Sequence, residues 1–298
     1  MLLLDARIMS LADFAVEVAQ AYQDACLAEL SALKPGNVHI FADGHGMVVK
    51  DFILSAEVSA SVMAQLDIGV GQRIKAAVQA TWQSVNCNTN LGIILLAAPM
   101  IQASLLAYTD GMHLSLRESL AKVLQNLSLE DAVLAYQAVE QASPAGLGNA
   151  DEHDIHAQPT VTLLSAMQAA EQRDLIARQY SNGFTDIFDV GLAQYESAIA
   201  RWNNESWAVS AVHLAFMAGF PDSHIVRKYG ASKGAEIQQR AAEYLYGLLE
   251  QENPKLYQRA LLEFDAALKA ERINPGTSAD LTVATVLASY LQNVLKQA

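Results

Sequence analysis

Three features of the 298-residue chain predict an all-α, single-domain multi-helix bundle over residues 1–298. Apolar residues recur at helical spacing, sustained strand alternation is absent, and 52% of residues are apolar against 17% charged. A chain of this length buries a substantial core.

The first helix is expected near 10–33, where Phe14, Val18, Ala21 and Ala25 fall at i, i+4, i+7 and i+11. Lys34-Pro35-Gly36 closes it with a cation, then Pro and Gly. Val38–Phe41 and Met47–Val49 are short strand candidates around Asp43-Gly44-His45-Gly46, and the stretch reads as an irregular loop. Helices follow near 50–65, 68–84, 90–107, 115–126 and 129–141. The segment 142–159, with Ser143-Pro144, Gly146, Gly148 and Pro159, is the longest non-helical connection. Further helices are expected near 160–180, 184–200, 204–219, 230–250, 255–270 and 278–296. In the last of these Val283, Leu287, Tyr290 and Val294 form one apolar face, and Leu281, Ala284, Ala288, Leu291 and Leu295 a second, which predicts a central helix. No repeat period of a solenoid is present.

The net charge of −13 argues against a nucleic-acid or anionic-membrane surface, so an anionic ligand must be met locally by placed cations, helix ends or a divalent metal. Two cysteines, Cys26 and Cys87, provide neither a disulfide framework nor zinc-ligand spacing, and a cytoplasmic home is expected. The start reads as no secretory signal. The apolar run Gly92–Ile101 is shorter than the roughly 20 residues a bilayer requires, so no membrane partner is expected.

Four polar turns at the ends of apolar helices carry the chemistry. Lys34-Pro35-Gly36-Asn37 offers an ammonium for phosphate and an amide, with His39, Asp43, His45 and Asp51 just downstream; Asp51 also suits a helix cap. Asn86 to Gly92 places Asn88, Thr89 and Asn90 before a buried helix, more polar groups than one N-cap needs. Amides and helix N–H groups beside an apolar wall suit a nucleotide, with Gly92 permitting close approach. Asp222-Ser223-His224-Ile225-Val226-Arg227-Lys228 follows Gly219-Phe220-Pro221; Asp222 fits either a cap or a Mg²⁺ ligand, and Arg227 and Lys228 either dipole partners or phosphate ligands. Asn274-Pro275-Gly276-Thr277-Ser278-Ala279-Asp280 opens the last helix with Gly276, free N–H groups and a carboxylate in its first turn. Between them, Asp151, Glu152 and Asp154 with His153 and His156 fit an acidic surface loop or a metal role, and Asp174 with Arg178 and Gln179 shares a helical stripe, where Asp174 and Arg178 need be no more than a surface ion pair.

In this order the turns resemble the triphosphoribosyl-dephospho-CoA synthase family. Its Lys-Pro-Gly, Asp loop and Ser-Ala helix are similar to Lys34-Pro35-Gly36, Asp43 and Asp51 to Ala56. Its Asn-Thr-His-Lys-Gly is similar to Asn88 to Gly92, its Asp-Thr-Asn with Arg-Gly to Asp222-Ser223-His224 with Arg227, and its Ser-Pro-Gly-Gly-Ser-Ala-Asp-Leu to Asn274 to Leu281. Asn90 and Leu91 stand where citrate-lyase-type members have His and Lys, and the family's Arg-Gly-Glu-Ala segment is absent mid-chain. This is the Asn-Thr-Asn-Leu-Gly type. The resemblance implies an all-helical transferase that joins ATP to dephospho-CoA with loss of adenine, with its active site at converging helix ends. Asp43, Asp51, Asp222 and Asp280 are then the metal or transition-state carboxylates, Asp222 and Asp280 holding Mg²⁺. Lys34, Arg227 and Lys228 hold phosphates, and Asn37, Asn88, Thr89, Asn90, Gly276 and Ser278 line the nucleotide. ATP and dephospho-CoA are the implied small-molecule partners, with a homodimer left open. The competing readings are a related ribosyl transfer in another coenzyme pathway of methanopterin type, a Mg²⁺-dependent ADP-ribosyl hydrolase and a non-catalytic nucleotide-binding bundle.

Overall fold

The computed structural model describes residues 9–42, 48–142 and 155–298. Among these there are fourteen α-helices and no strand; one isolated bridge, His39 to Ala42, is all that remains of the strand candidates. Asp43, His45, Met47 and Asp151 to Asp154 lie outside the described residues.

The helices are α1 (Leu11–Ser31), α2 (Val49–Met63), α3 (Val70–Val85), α4 (Leu91–Thr109), α5 (Leu116–Gln125), α6 (Leu129–Ala142), α7 (Leu163–Ala170) and α8 (Leu175–Asn182). After them come α9 (Leu192–Trp202), α10 (Glu205–Gly219), α11 (Ser223–Tyr229), α12 (Ala231–Leu249), α13 (Gln258–Ala270) and α14 (Gly276–Gln297). The expected helix at 160–180 is broken. Thr162 caps α7, the chain turns through Glu171–Arg173, and Asp174 caps α8 by accepting the N–H groups of Ile176 and Ala177. No Gly or Pro marks this break; the cap itself makes it. The helix expected at 184–200 opens with a π-helical turn, Asp186–Gly191, in which Gly191 lets the backbone reach α14: a Cβ there would lie 2.2 Å from Thr285 Oγ1.

Two helices form the centre. α14 packs on α1, α4, α9, α10 and α11, and from Leu281 to Leu291 both faces read from its sequence are buried apart from the partly exposed Tyr290. α4 packs on α1, α3, α5 and α14. By length and composition α4 could cross a membrane, a longer apolar element than Gly92–Ile101 suggested, but 83% of its most apolar window is buried inside the fold, as in a core helix. Pro99 inside α4 cannot donate to the Leu95 carbonyl, and the buried Tyr180 hydroxyl of α8 donates to it instead at 2.6 Å. Arg73, fully buried on α3, donates to the carbonyls of Met63, Gln65 and Ile68 and to Gln102 Oε1, so it closes the end of α2.

Candidate functional site

The first and last polar turns touch. Gly36 holds φ +83°, and a Cβ on it would lie 2.8 Å from Pro275 Cδ, so both its conformation and its neighbour require glycine. Its N–H donates to Asp265 Oδ1 at 2.8 Å, and Asn37 Nδ2 donates to Asn274 Oδ1 at 2.9 Å. Lys34, only 1% exposed, donates to Glu29 of α1 and, at 3.0 Å, to Asn37 Oδ1. Burial disfavours the charged form of both Lys34 and Glu29, lowering one pKa and raising the other, and their mutual attraction opposes it. Asp265 also accepts from Lys269 Nζ at 3.0 Å, and His39 Nε2 stands 3.4 Å away, outside good hydrogen-bond alignment. The buried His213 of α10 approaches the Pro35 carbonyl at 3.4 Å, and desolvation lowers its pKa to about 3, so it is neutral.

The second turn ties α4 to α1 and α2. Asn88 Oδ1 accepts the Leu91 N–H at 3.2 Å, Thr89 Oγ1 and Ser55 Oγ are 2.6 Å apart, and Asn90 Nδ2 donates to Ser59 Oγ, which also meets Tyr22 Oη at 3.0 Å. Asp51 accepts the Val48 N–H in the cap of α2. Among the described residues, the N–H groups of Gly92 and Ile93 have no partner.

Asp222 is 3% exposed and uses all four of its acceptor positions. Oδ1 takes the His224 and Ile225 N–H groups, and Oδ2 takes the N–H and hydroxyl of Ser278 at 2.7 and 2.8 Å. It therefore caps α11 and fastens the first turn of α14 to it. Ser223 Oγ in turn accepts the Leu175 N–H at 2.8 Å, which brings the start of α8 to the same place.

Asp280 stands differently. Its carboxylate lies against Gly92, where a Cβ would come within 2.0 Å of Oδ2 and 2.9 Å of Ile176 Cδ1. The starts of α4, α8, α11 and α14 thus converge on it. No donor among the described residues meets Asp280. It keeps some exposed surface, yet desolvation raises its pKa well above the carboxylate range, and the charges of Asp222, Glu29 and Asp174 raise it further; Arg227 opposes them. Arg227 donates to Asp174 Oδ2 at 2.6 Å. Lys34 also feels the charge of Asp280.

The structure thus gathers Lys34, Asn37, Gly276, Ser278, Asp222, Arg227 and Asp280 around one junction, with Asn88, Thr89 and Asn90 on the adjoining turn. Lys228 is not brought in: it is exposed, its ammonium 5.2 Å from the centre of the Tyr229 ring. Asp51 stands apart from the charges that act on Asp280, near Cys87. The pair read between Asp174 and Arg178 does not form. The helix break makes Asp174 a cap and the partner of Arg227, while Arg178 Nε donates to Asp186 at 2.8 Å.

The sequence reading passes over Glu29 and Asp265. Glu29 continues the stripe of Phe14, Val18, Ala21 and Ala25, and Asp265 shares the apolar face of Leu261, Phe264 and Leu268. A carboxylate on a buried stripe is the signal that finds them. Among the described residues no group of three or more His, Cys, Asp or Glu gathers at metal-binding distance.

The family model of ATP:dephospho-CoA triphosphoribosyl transferase matches residues 15–298. The 2-(5''-triphosphoribosyl)-3'-dephosphocoenzyme-A synthase of Pectobacterium atrosepticum is 32% identical over 107 residues, 36% of this chain, and the corresponding protein of Pectobacterium carotovorum subsp. carotovorum matches equally. The match spans 33% of the length of these curated relatives. A crystal structure from Archaeoglobus fulgidus, described as a triphosphoribosyl-dephospho-CoA synthase, superposes with a TM-score of 0.58 at 20% identity, over 80% of this chain and 97% of its own. At that identity the likeness shows the shared fold.

Proposed function

We propose, for a chain that belongs to the ATP:dephospho-CoA triphosphoribosyl transferase family, that it transfers the triphosphoribosyl group of ATP to the ribose 2'-hydroxyl of dephospho-CoA. The observation that carries this reading is the Asp280 carboxyl group at the junction of four helix starts, without a donor among the described residues and within the field of Arg227.

In the reaction the bond from the ribose anomeric carbon to the adenine nitrogen breaks, and adenine leaves with the electron pair and takes up a proton. The acceptor hydroxyl forms the new bond to that carbon and gives up its proton. Departure leaves positive charge on the ribose, and a carboxylate beside it stabilises that charge. Asp280 is suited to this because its oxygens meet no donor among the described residues, and although burial and its carboxylate neighbours favour its protonated form, a cation brought beside it by the substrate favours the ionised one. The uncapped N–H groups of Gly92 and Ile93 and the Arg227 guanidinium favour the triphosphate. Asp222 holds the two helix starts in register through its bonds to Ser278.

The donor set fits Mg²⁺ in its usual form, with one or two carboxylates and the substrate's phosphates completing the shell. Asp280 would hold it; Asp222 contributes by position, its oxygens being occupied. Bound there, Mg²⁺ supplies neutralisation of the triphosphate charge.

A second acceptor within the same chemistry is favoured by one observation. Asn90 bonds to Ser59 and Leu91 is buried, so this turn offers no cation where the resemblance places His and Lys in citrate-lyase-type members. The deciding experiment is adenine release from ATP and Mg²⁺, with and without dephospho-CoA. Adenine that appears only with dephospho-CoA supports the transfer as written. Adenine that appears only with another coenzyme-type acceptor supports the second reading. No adenine with any acceptor rejects both.

A further inference from the structure

The helix break at Glu171–Arg173, which no Gly or Pro explains, brings the start of α8 to the site and sets a carboxylate against Arg227. Asp174 divides its two oxygens. Oδ1 accepts the Ile176 and Ala177 N–H groups and caps α8, while Oδ2 accepts Nη1 of Arg227 on α11 at 2.6 Å. Ser223 Oγ, accepting the Leu175 N–H at 2.8 Å, fastens the same helix start to α11 a second time. Ile176, two residues beyond the cap, reaches Gly92 beside the Asp280 carboxyl group.

This pairing leaves part of Arg227 unused. A guanidinium is planar, and its Nε and Nη2 hydrogens point together along one edge, a fork that matches two oxygens of a phosphate. Nη1 belongs to Asp174, whereas Nε is buried and has no partner among the described residues. A buried N–H without an acceptor is costly in a protein closed on itself, so an oxyanion that meets the Nε edge gains what the fold leaves open. Both side chains are 23% exposed, open enough for a ligand to reach them. A carboxylate at a phosphate site is otherwise unfavourable: Asp174 adds a negative charge that a polyphosphate must approach, and the same charge helps raise the pKa of Asp280. What it supplies in exchange is orientation.

We infer that Asp174 is a positioning residue: it holds Arg227 by Nη1 so that the Nε edge of the guanidinium is turned to two oxygens of the triphosphate. Asp174 touches no reacting atom and acts through Arg227 alone. This rests on the phosphate role of Arg227 in the transferase reading and extends the site to the start of α8. An arginine already held in one geometry loses less rotamer freedom when the ligand arrives than one that is loose.

Asp174→Asn and Asp174→Ser separate the two oxygens. Each keeps an acceptor for the Ile176 and Ala177 N–H groups, so α8 stays capped and the fold is retained, and neither offers Arg227 a carboxylate. The test is the affinity of the full-length protein for inorganic triphosphate in Mg²⁺ buffer, by isothermal titration calorimetry, for the wild type, both variants, Arg227→Gln and the two double variants. Each Asp174 variant should weaken binding by about threefold to tenfold, and neither should weaken it further once Arg227 is Gln. Charge alone predicts the opposite sign, because removing a carboxylate favours a polyanion. Tighter or unchanged binding in Asp174→Asn and Asp174→Ser overturns the inference, and so does an equal loss in the Arg227→Gln background. A wild type that binds no triphosphate yet releases adenine from ATP also overturns it and leaves the transferase reading standing. Coupled weakening in a protein that releases no adenine supports the Asp174–Arg227 arrangement and rejects the transferase reading.

Discussion

Beneath the turn at residues 34–37, Glu29, Lys34, Asp265 and Lys269 each meet a partner, whereas at the starts of α4 and α14 Asp280 faces three carboxylates and meets no donor among the described residues. Both regions are polar, both lie at helix ends, and both carry motifs of the family resemblance. The difference lies in hydrogen-bond satisfaction. A network closed on itself holds helices together and has little left for a ligand, and a buried charge left open is kept at a cost to the fold. The contrast separates Lys34, read from the sequence as a phosphate ligand, from Asp280, read as a carboxylate of the site.

The largest expected effect tests the closed region. Lys34→Met strands the Glu29 carboxylate in the interior and should cost about 3–5 kcal/mol of stability, measured from the denaturation midpoint in urea. A loss below about 1 kcal/mol, the range of an exposed pair, would dissolve the distinction between the two regions.

Asp280→Asn addresses the open region and should lower adenine release by about 100-fold to 1,000-fold without unfolding the protein. Its stability effect has the opposite sign to that of Lys34→Met. The folded-state pKa of Asp280 lies above its unfolded value, so its contribution to stability is complete below the unfolded value and is lost as pH rises through the folded one. In metal-free buffer the variant should therefore gain in melting temperature over wild type as pH goes from about 4 to about 7. A margin that shrinks with rising pH would reverse the assigned electrostatics.

Gly92→Ala drives a Cβ into the Asp280 carboxylate while favouring the helix, so activity should fall by about 100-fold through misplacement of the reacting group. The melting temperature should change little. Arg227→Gln should raise KM for ATP by about tenfold, the loss of one charged hydrogen bond; an unchanged KM would remove Arg227 from the phosphate site. The smallest effect is a control outside both regions. Arg117 and Asp189 form an exposed pair, and Arg117→Ala should cost no more than about 1 kcal/mol by thermal denaturation.

Much of this was legible in the sequence, for identifiable reasons. Helix periods follow from burial, so α1 to α6, α10 and α12 to α14 fall within a few residues of their expected places, α9 does so together with its π-helical opening, the short α11 is in no expected helix range, and the caps at Asp51 and Asp222 follow from short polar side chains before helical runs. The break at Glu171–Arg173 carries no breaker residue. The π-helical turn at Asp186–Gly191 depends on how closely Gly191 approaches α14, a tertiary fact. At the site, motif residues were legible but their states were not. That Asp222 spends its oxygens on two helix starts and Asp280 spends none depends on partners 56 residues away in Ser278 and far outside any local window in Gly92.

The contact between the turns at 34–37 and 274–276 has a consequence for biosynthesis. Asn37 and Asn274 are 237 residues apart, so at ordinary translation speeds the first turn waits about 12–50 s for its counterpart to leave the ribosome. Until then the apolar faces of α1, α4 and α10 that later pack on α14 have nothing to cover them. A nascent chain stalled before residue 276 would lack α14 and present a groove the shape of the missing helix, an apolar surface open to a chaperone that binds apolar segments.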